Sequence, residues 1–137
     1  MIEVIKPGQH YKLTQYEKLG GEVGVRKLVD LFYDAMDSDT GVKLIRDMHA
    51  PDLSSTREKL FLFLSGWLGG PSLYIEKYGH PRLRARHLPF SIGIEERDQW
   101  LRCMDHALHQ MNIEKPMHDE LMQAFFNTAD FMRNRQD

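Results

Sequence analysis

Cysteine is almost missing from this sequence: Cys103 is the only one in 137 residues. A single thiol excludes a disulfide framework, and also a zinc or iron–sulfur centre built on several cysteines of one chain. Long apolar runs are missing too. No stretch approaches the ~18 residues of a membrane-spanning helix, and Met1-Ile2-Glu3-Val4-Ile5-Lys6-Pro7 does not read as a secretory signal. Neither sign of charge is in excess. With 18 Lys+Arg against 20 Asp+Glu, the formal charge is −2, which offers no electrostatic basis for holding nucleic acid or an anionic membrane. A chain that is 42% hydrophobic and 28% charged is neither disordered nor fibrous. The expectation is a soluble, single-domain protein of a reducing compartment, the cytoplasm.

What is abundant is helical periodicity. Val25, Leu28, Val29, Phe32 and Met36 recur at three- and four-residue spacing, with Tyr33 four beyond Val29. A short helix should precede them, because Thr14-Gln15-Tyr16-Glu17 has the reciprocal capping pattern and Gly20-Gly21 stops it. A second long helix is predicted to open with another capping box, Ser55-Thr56-Arg57-Glu58, and to end at Gly69-Gly70-Pro71. A third should run from about Glu95 to Met111, with Trp100, Met104 and Leu108 on one stripe. The fourth begins near Pro116 and carries Leu121, Met122, Phe125, Ala129 and Met132. No stretch alternates as a half-buried strand does. The fold class is all-α, with a domain over residues 13–133, an N-terminal extension over 1–12 and a fraying tail over 134–137.

The segment Pro71 to Glu95 does not fit this helical scheme, and a connection of such length inside a compact domain is usually functional. It is also basic: Lys77, Arg82, Arg84 and Arg86 surround His80 and His87. Basic residues held near a buried site suggest an anionic group at its mouth. Two readings of His87 stand side by side. A lone loop histidine is commonly solvated or a helix cap. Here Pro89 ends any helix just after it, and Leu83, Leu88 and Phe90 turn the segment inward. A histidine on a short rigid turn facing a core is what an axial metal ligand requires.

Arg84-x-Arg86-His87-x-Pro89-Phe90, followed by Glu96-Arg97-Asp98-x-Trp100-Leu101-x-Cys103-Met104, resembles the group II truncated haemoglobins, as do the two glycine stops. The resemblance covers roughly Thr14 to Met132. It implies a truncated globin fold, a two-over-two α-helical sandwich around haem b, with His87 as the proximal iron ligand. Arg84, Arg86 and Lys59 become candidates for pairing with the anionic propionates. No Cys-x-x-Cys-His is present, so covalent c-type haem attachment is excluded.

On the distal side the family carries Tyr at the position of Tyr33 and Trp at that of Trp100. Each offers a hydrogen-bond donor to a bound ligand with partial negative charge. The corner that follows the first long helix carries His49, with Met48 as the competing alignment, where the family more often has Tyr or Phe. An imidazole there could donate a hydrogen bond or bind the iron as a sixth ligand. Thr56 stands where larger globins have a distal histidine. Leu60, Phe63, Leu64 and Met104 become apolar walls, with Phe32 and Phe90 as further candidates. The implied function is reversible binding of O₂, with NO and CO at the same iron. A second possibility is NO dioxygenase or peroxidase-like detoxification, drawing on an external reductase; a third is a haem-free helical interaction module. His10 and His118 read as surface residues, and His106 with His109 as an exposed pair.

Overall fold

The computed structural model describes residues 12–137, so the expected N-terminal extension lies, except for Lys12, outside the described residues. Helix α1 (Gln15–Lys18) opens on the capping box expected for it: Thr14 Oγ1 accepts from Glu17 N–H, and Glu17 reaches back to Thr14 N–H at 3.0 Å. Gly20 and Gly21, both at positive φ, swing the chain into α2 (Gly21–Ser38). The approach of the two helices leaves no room at Gly24, where an added Cβ would lie 1.7 Å from the Leu19 carbonyl oxygen.

A 3₁₀ turn (Thr40–Val42) and α3 (Lys43–Asp47) lead to α4 (Ser54–Trp67), then to α5 (Leu73–Tyr78), α6 (Leu83–His87), α7 (Ile94–Gln110) and α8 (Lys115–Phe131). No strand occurs among the described residues. Helix α2 packs on α7 and on α4, and α7 packs on α8. One layer is therefore α2 with α4 and the other α7 with α8, a truncated two-on-two globin fold. Val25, Leu28, Phe32, Met104, Leu108 and Leu121 are completely sealed where the layers meet. Truncating one such leucine to alanine costs about 2–5 kcal/mol.

Three local expectations are corrected. The capping box at Ser55–Glu58 does not form, because α4 begins at Ser54, two residues before the Thr56 start that the box requires. Asp52 instead accepts from the N–H and hydroxyl of Ser54, at 2.9 and 2.7 Å, and Glu58 pairs with Arg26 of α2. The segment after Pro71 is not an open loop but holds α5 and α6. The tail is not frayed either. Asn134 donates its N–H to the Ile92 carbonyl, accepts from Ile92 N–H through its side chain, and donates Nδ2–H to the Phe90 carbonyl at 2.6 Å. Arg135 meets Glu96, so the chain end is docked beside the start of α7.

Candidate functional site

His87 closes α6, half-buried, with Nδ1 2.6 Å from the Leu83 carbonyl. A carbonyl only accepts, so Nδ1 carries the proton and the Nε2 lone pair is left for a Lewis acid. The turn before it is rigid: Arg82 sits at φ 48°, and its N–H donates to His80 Nδ1 at 3.0 Å. His80 thus braces the helix that carries His87.

His49 repeats the arrangement on another element. It follows α3, with Nδ1 2.7 Å from the Ile45 carbonyl. Burial depresses its basicity most. The Ile45 carbonyl opposes that shift, while the charges of Arg46 and His87 add to it. Ring contacts continue from His49. His49 meets the ring of Tyr33 at 5.9 Å, Tyr33 meets Phe32 at 4.8 Å, and Phe32 meets Trp100 at 5.0 Å.

Tyr33 is 4% exposed, and burial pushes its phenol well above the ordinary range, so it stays protonated. Among the described residues, no fully sealed side-chain oxygen or nitrogen lacks a partner. Nothing among the described residues is bonded to the Tyr33 hydroxyl or to Trp100 Nε1, so both donors keep access to solvent or a small ligand.

The walls and cations divide. Leu60 and Phe63 are half-buried, and Phe63 meets Tyr74 edge-on at 6.3 Å. Phe32, Leu64 and Met104 are sealed in the core behind them, and Phe90 is 41% exposed. Arg84 is turned away: its guanidinium donates to the carbonyls of Phe131 and Arg133 at the end of α8. Arg86 donates to the Pro81 carbonyl and lies over Tyr74. Lys59 is exposed and makes no ion pair among the described residues. Met48, the alternative to His49, is half-buried one residue away.

The bacterial-like globin family model matches residues 14–134. The group 2 truncated hemoglobin YjbI of Bacillus subtilis is 40% identical over 130 residues, 95% of each chain. The chain belongs to the bacterial-like globin family. Its fold superposes on the cold-adapted truncated hemoglobin of the Antarctic bacterium Pseudoalteromonas haloplanktis with a TM-score of 0.88 and 44% identity, over 90% of this chain and all of the other. The group II 2-on-2 hemoglobin of Agrobacterium tumefaciens gives a TM-score of 0.88 at 37% identity, over 93% and 98% of the two chains.

The family implies haem, and the donor set of this globin fits it. An imidazole with Nδ1 engaged presents Nε2 from a short helix, two donors unengaged among the described residues lie with a second imidazole along one run of ring contacts, and Leu60 and Phe63 are half-buried on α4. Sequence reasoning missed two positioning residues. Arg57 bridges Asp30 and Asp34 of α2 at 2.9 and 2.8 Å and sits 5.8 Å from the Tyr33 ring, holding α4 against the helix that carries Tyr33. Gln99 accepts from Ile45 N–H at 3.3 Å, tying α3 to α7 one residue before Trp100. The i,i+4 pair Asp30/Asp34 facing a cation was the available signal for the first. Nothing local announced the second. Cys103 is a buried hydrophobe, its thiol pushed up to about 11 by burial.

Proposed function

We propose that this globin binds haem b through His87 and holds O₂, and NO or CO in its place, beside Tyr33, His49 and Trp100. The observation that carries the reading is the hydrogen bond from His87 Nδ1 to the Leu83 carbonyl, which commits Nε2 to ligation. The iron supplies reversible binding of a diatomic ligand. The residues do the rest. His87 fixes the cofactor at one point, with its ring held against rotation by Leu83 and its turn held by His80. Burial keeps the Tyr33 phenol protonated, and no described residue engages its O–H or the Trp100 N–H, so both can donate to a ligand. Three donors around one ligand favour slow release over rapid carriage. Lys59 is exposed, and Arg86 spends only its Nε–H on the Pro81 carbonyl, so both keep N–H groups for propionates; Arg84 is held by two carbonyls at the end of α8.

His49 has a second role in this reading. Its Nδ1 is committed to Ile45, so Nε2 can serve as a sixth ligand when no diatomic ligand is present. Absorption spectra of the ferric, ferrous and CO-bound protein test both parts. A Soret band that shifts reversibly with O₂ and CO supports the haem assignment, and six-coordinate low-spin features in the deoxy ferrous form support His49 ligation. A colourless protein that takes up no added haem overturns the first. Purely five-coordinate, high-spin ferrous iron across accessible pH overturns the second.

A further inference from the structure

The join between α7 and α8 holds a second group of ligating side chains that the candidate haem site does not use. Asp105 and His109 stand one turn apart on α7 and so share a face. The chain reverses through Asn112, at φ 55°, and the first turn of α8 places His118 against that face. The contacts are close: His118 Nε2 lies 2.8 Å from Asp105 Oδ1, His109 Nδ1 lies 3.5 Å from the same oxygen, and the two imidazole rings are 4.5 Å apart. One ligand atom from each of the three residues falls within 4.8 Å of the others. His106, the partner that spacing alone suggests for His109, is not in the group; its charge acts on Asp39.

We propose that Asp105, His109 and His118 bind a divalent transition-metal ion, with Zn²⁺ as the representative. Two imidazoles and one carboxylate form a borderline nitrogen–oxygen set that suits Zn²⁺, Ni²⁺ or Cu²⁺ rather than Mg²⁺ or Ca²⁺. Three protein ligands leave a fourth tetrahedral position for water, on the side where the His109 side chain is 64% exposed. Ligand bonds of about 2.0–2.2 Å set tetrahedral ligand atoms about 3.4 Å apart, so side-chain rotation must open the 2.8 Å contact between His118 and Asp105 and draw the wider separations in.

The hydrogen bonds around the group set which atoms could coordinate. The Asp105 carbonyl accepts from His109 Nδ1–H at 2.9 Å, which leaves His109 Nε2 as a ligand atom. His118 Nε2–H donates to Asp105 Oδ1 at 2.8 Å, and Asp119 Oδ1 faces His118 Nδ1 at 3.4 Å. A metal ion would replace the shared proton, with His118 coordinating through Nε2 and turning Nδ1–H to Asp119. Asp119 would then act as the outer carboxylate that orients a metal-bound imidazole. The bound ion would tie the end of α7 to the start of α8.

Calorimetric titration of ZnCl₂ into the full-length protein, paired with thermal unfolding, tests this. The expected result is one Zn²⁺ per chain and an unfolding temperature that rises with Zn²⁺ concentration. His109→Ala, at an exposed position that the fold does not need, should weaken binding at least tenfold. Asp119→Asn should weaken it by about 10-fold or more through the outer contact, and His106→Ala should leave it unchanged. Absence of saturable binding overturns the proposal. So does binding that His109→Ala leaves intact, or that His106→Ala reduces equally, since either result would mark adventitious surface coordination.

Discussion

Tyr33 and His49 meet edge to face, their ring centroids 5.9 Å apart and their planes at 72°. One comes from the middle of α2 and the other from the corner after α3, sixteen positions later in the chain. The contact puts a buried phenol beside an imidazole whose Nδ1 is already committed to the Ile45 carbonyl. Arg57 holds the Tyr33 side of this contact and Gln99 the α3 side. The candidate donors are thus set by packing between helices rather than by any one segment.

Trp100 supplies a donor that the protein itself does not engage. Replacing it with Leu keeps the apolar contact to Phe32 but deletes the indole N–H. With one net hydrogen bond of about 1–1.5 kcal/mol removed, O₂ dissociation should accelerate on the order of tenfold. Stopped-flow displacement of O₂ by CO measures this. An unchanged rate removes Trp100 from the donors.

Arg84 should matter to stability rather than to the cofactor. Its guanidinium satisfies two carbonyls at the end of α8, where a helix leaves acceptors open and a cation is favourable. Arg84→Met should destabilise the fold by about 1–2 kcal/mol while leaving haem affinity unchanged. Denaturant unfolding and haem-transfer rates separate the two effects. A faster loss of haem at unaltered stability would restore Arg84 as a propionate partner.

The docked tail carries a pH dependence. Burial raises the Glu96 carboxyl, but the N–H groups of Gly93 and Glu96 and the Arg135 guanidinium outweigh it, so the folded value lies below the ordinary one. Above the unfolded carboxylate range, near pH 4.3, this stabilisation is fully present. Below it the unfolded chain takes the proton first, and the stabilisation is lost as pH falls through the folded value. Glu96→Gln should therefore lower stability at neutral pH and flatten its decline below about pH 4.5. An identical slope in the variant would show that Glu96 is not coupled to folding.

Legibility in the sequence followed locality. The Thr14–Glu17 cap, the four long helices and the buried stripe Val25–Leu28–Phe32 depend on residues within a few positions of one another, and all appear as read. The box at Ser55–Glu58 had the same local pattern, yet Asp52 competes for Ser54 and Arg26 takes Glu58. Arg84 on α8, Asn134 on Ile92 and His118 on Asp105 join residues far apart or across a turn, where spacing carries no information. For the candidate site, the Arg-x-Arg-His block marks His87, but only the fold shows its Nδ1 engaged by the Leu83 carbonyl and that of His49 by the Ile45 carbonyl.

Haem titration of wild-type protein and of His87→Gly, with and without added imidazole, tests the ligation at residue 87 most directly. The wild type should saturate at one haem per chain with a histidine-ligated ferrous spectrum. The variant should lose that spectrum and regain it when imidazole enters the space left by the side chain. A variant whose haem spectrum matches the wild type without imidazole would contradict His87 as the iron ligand.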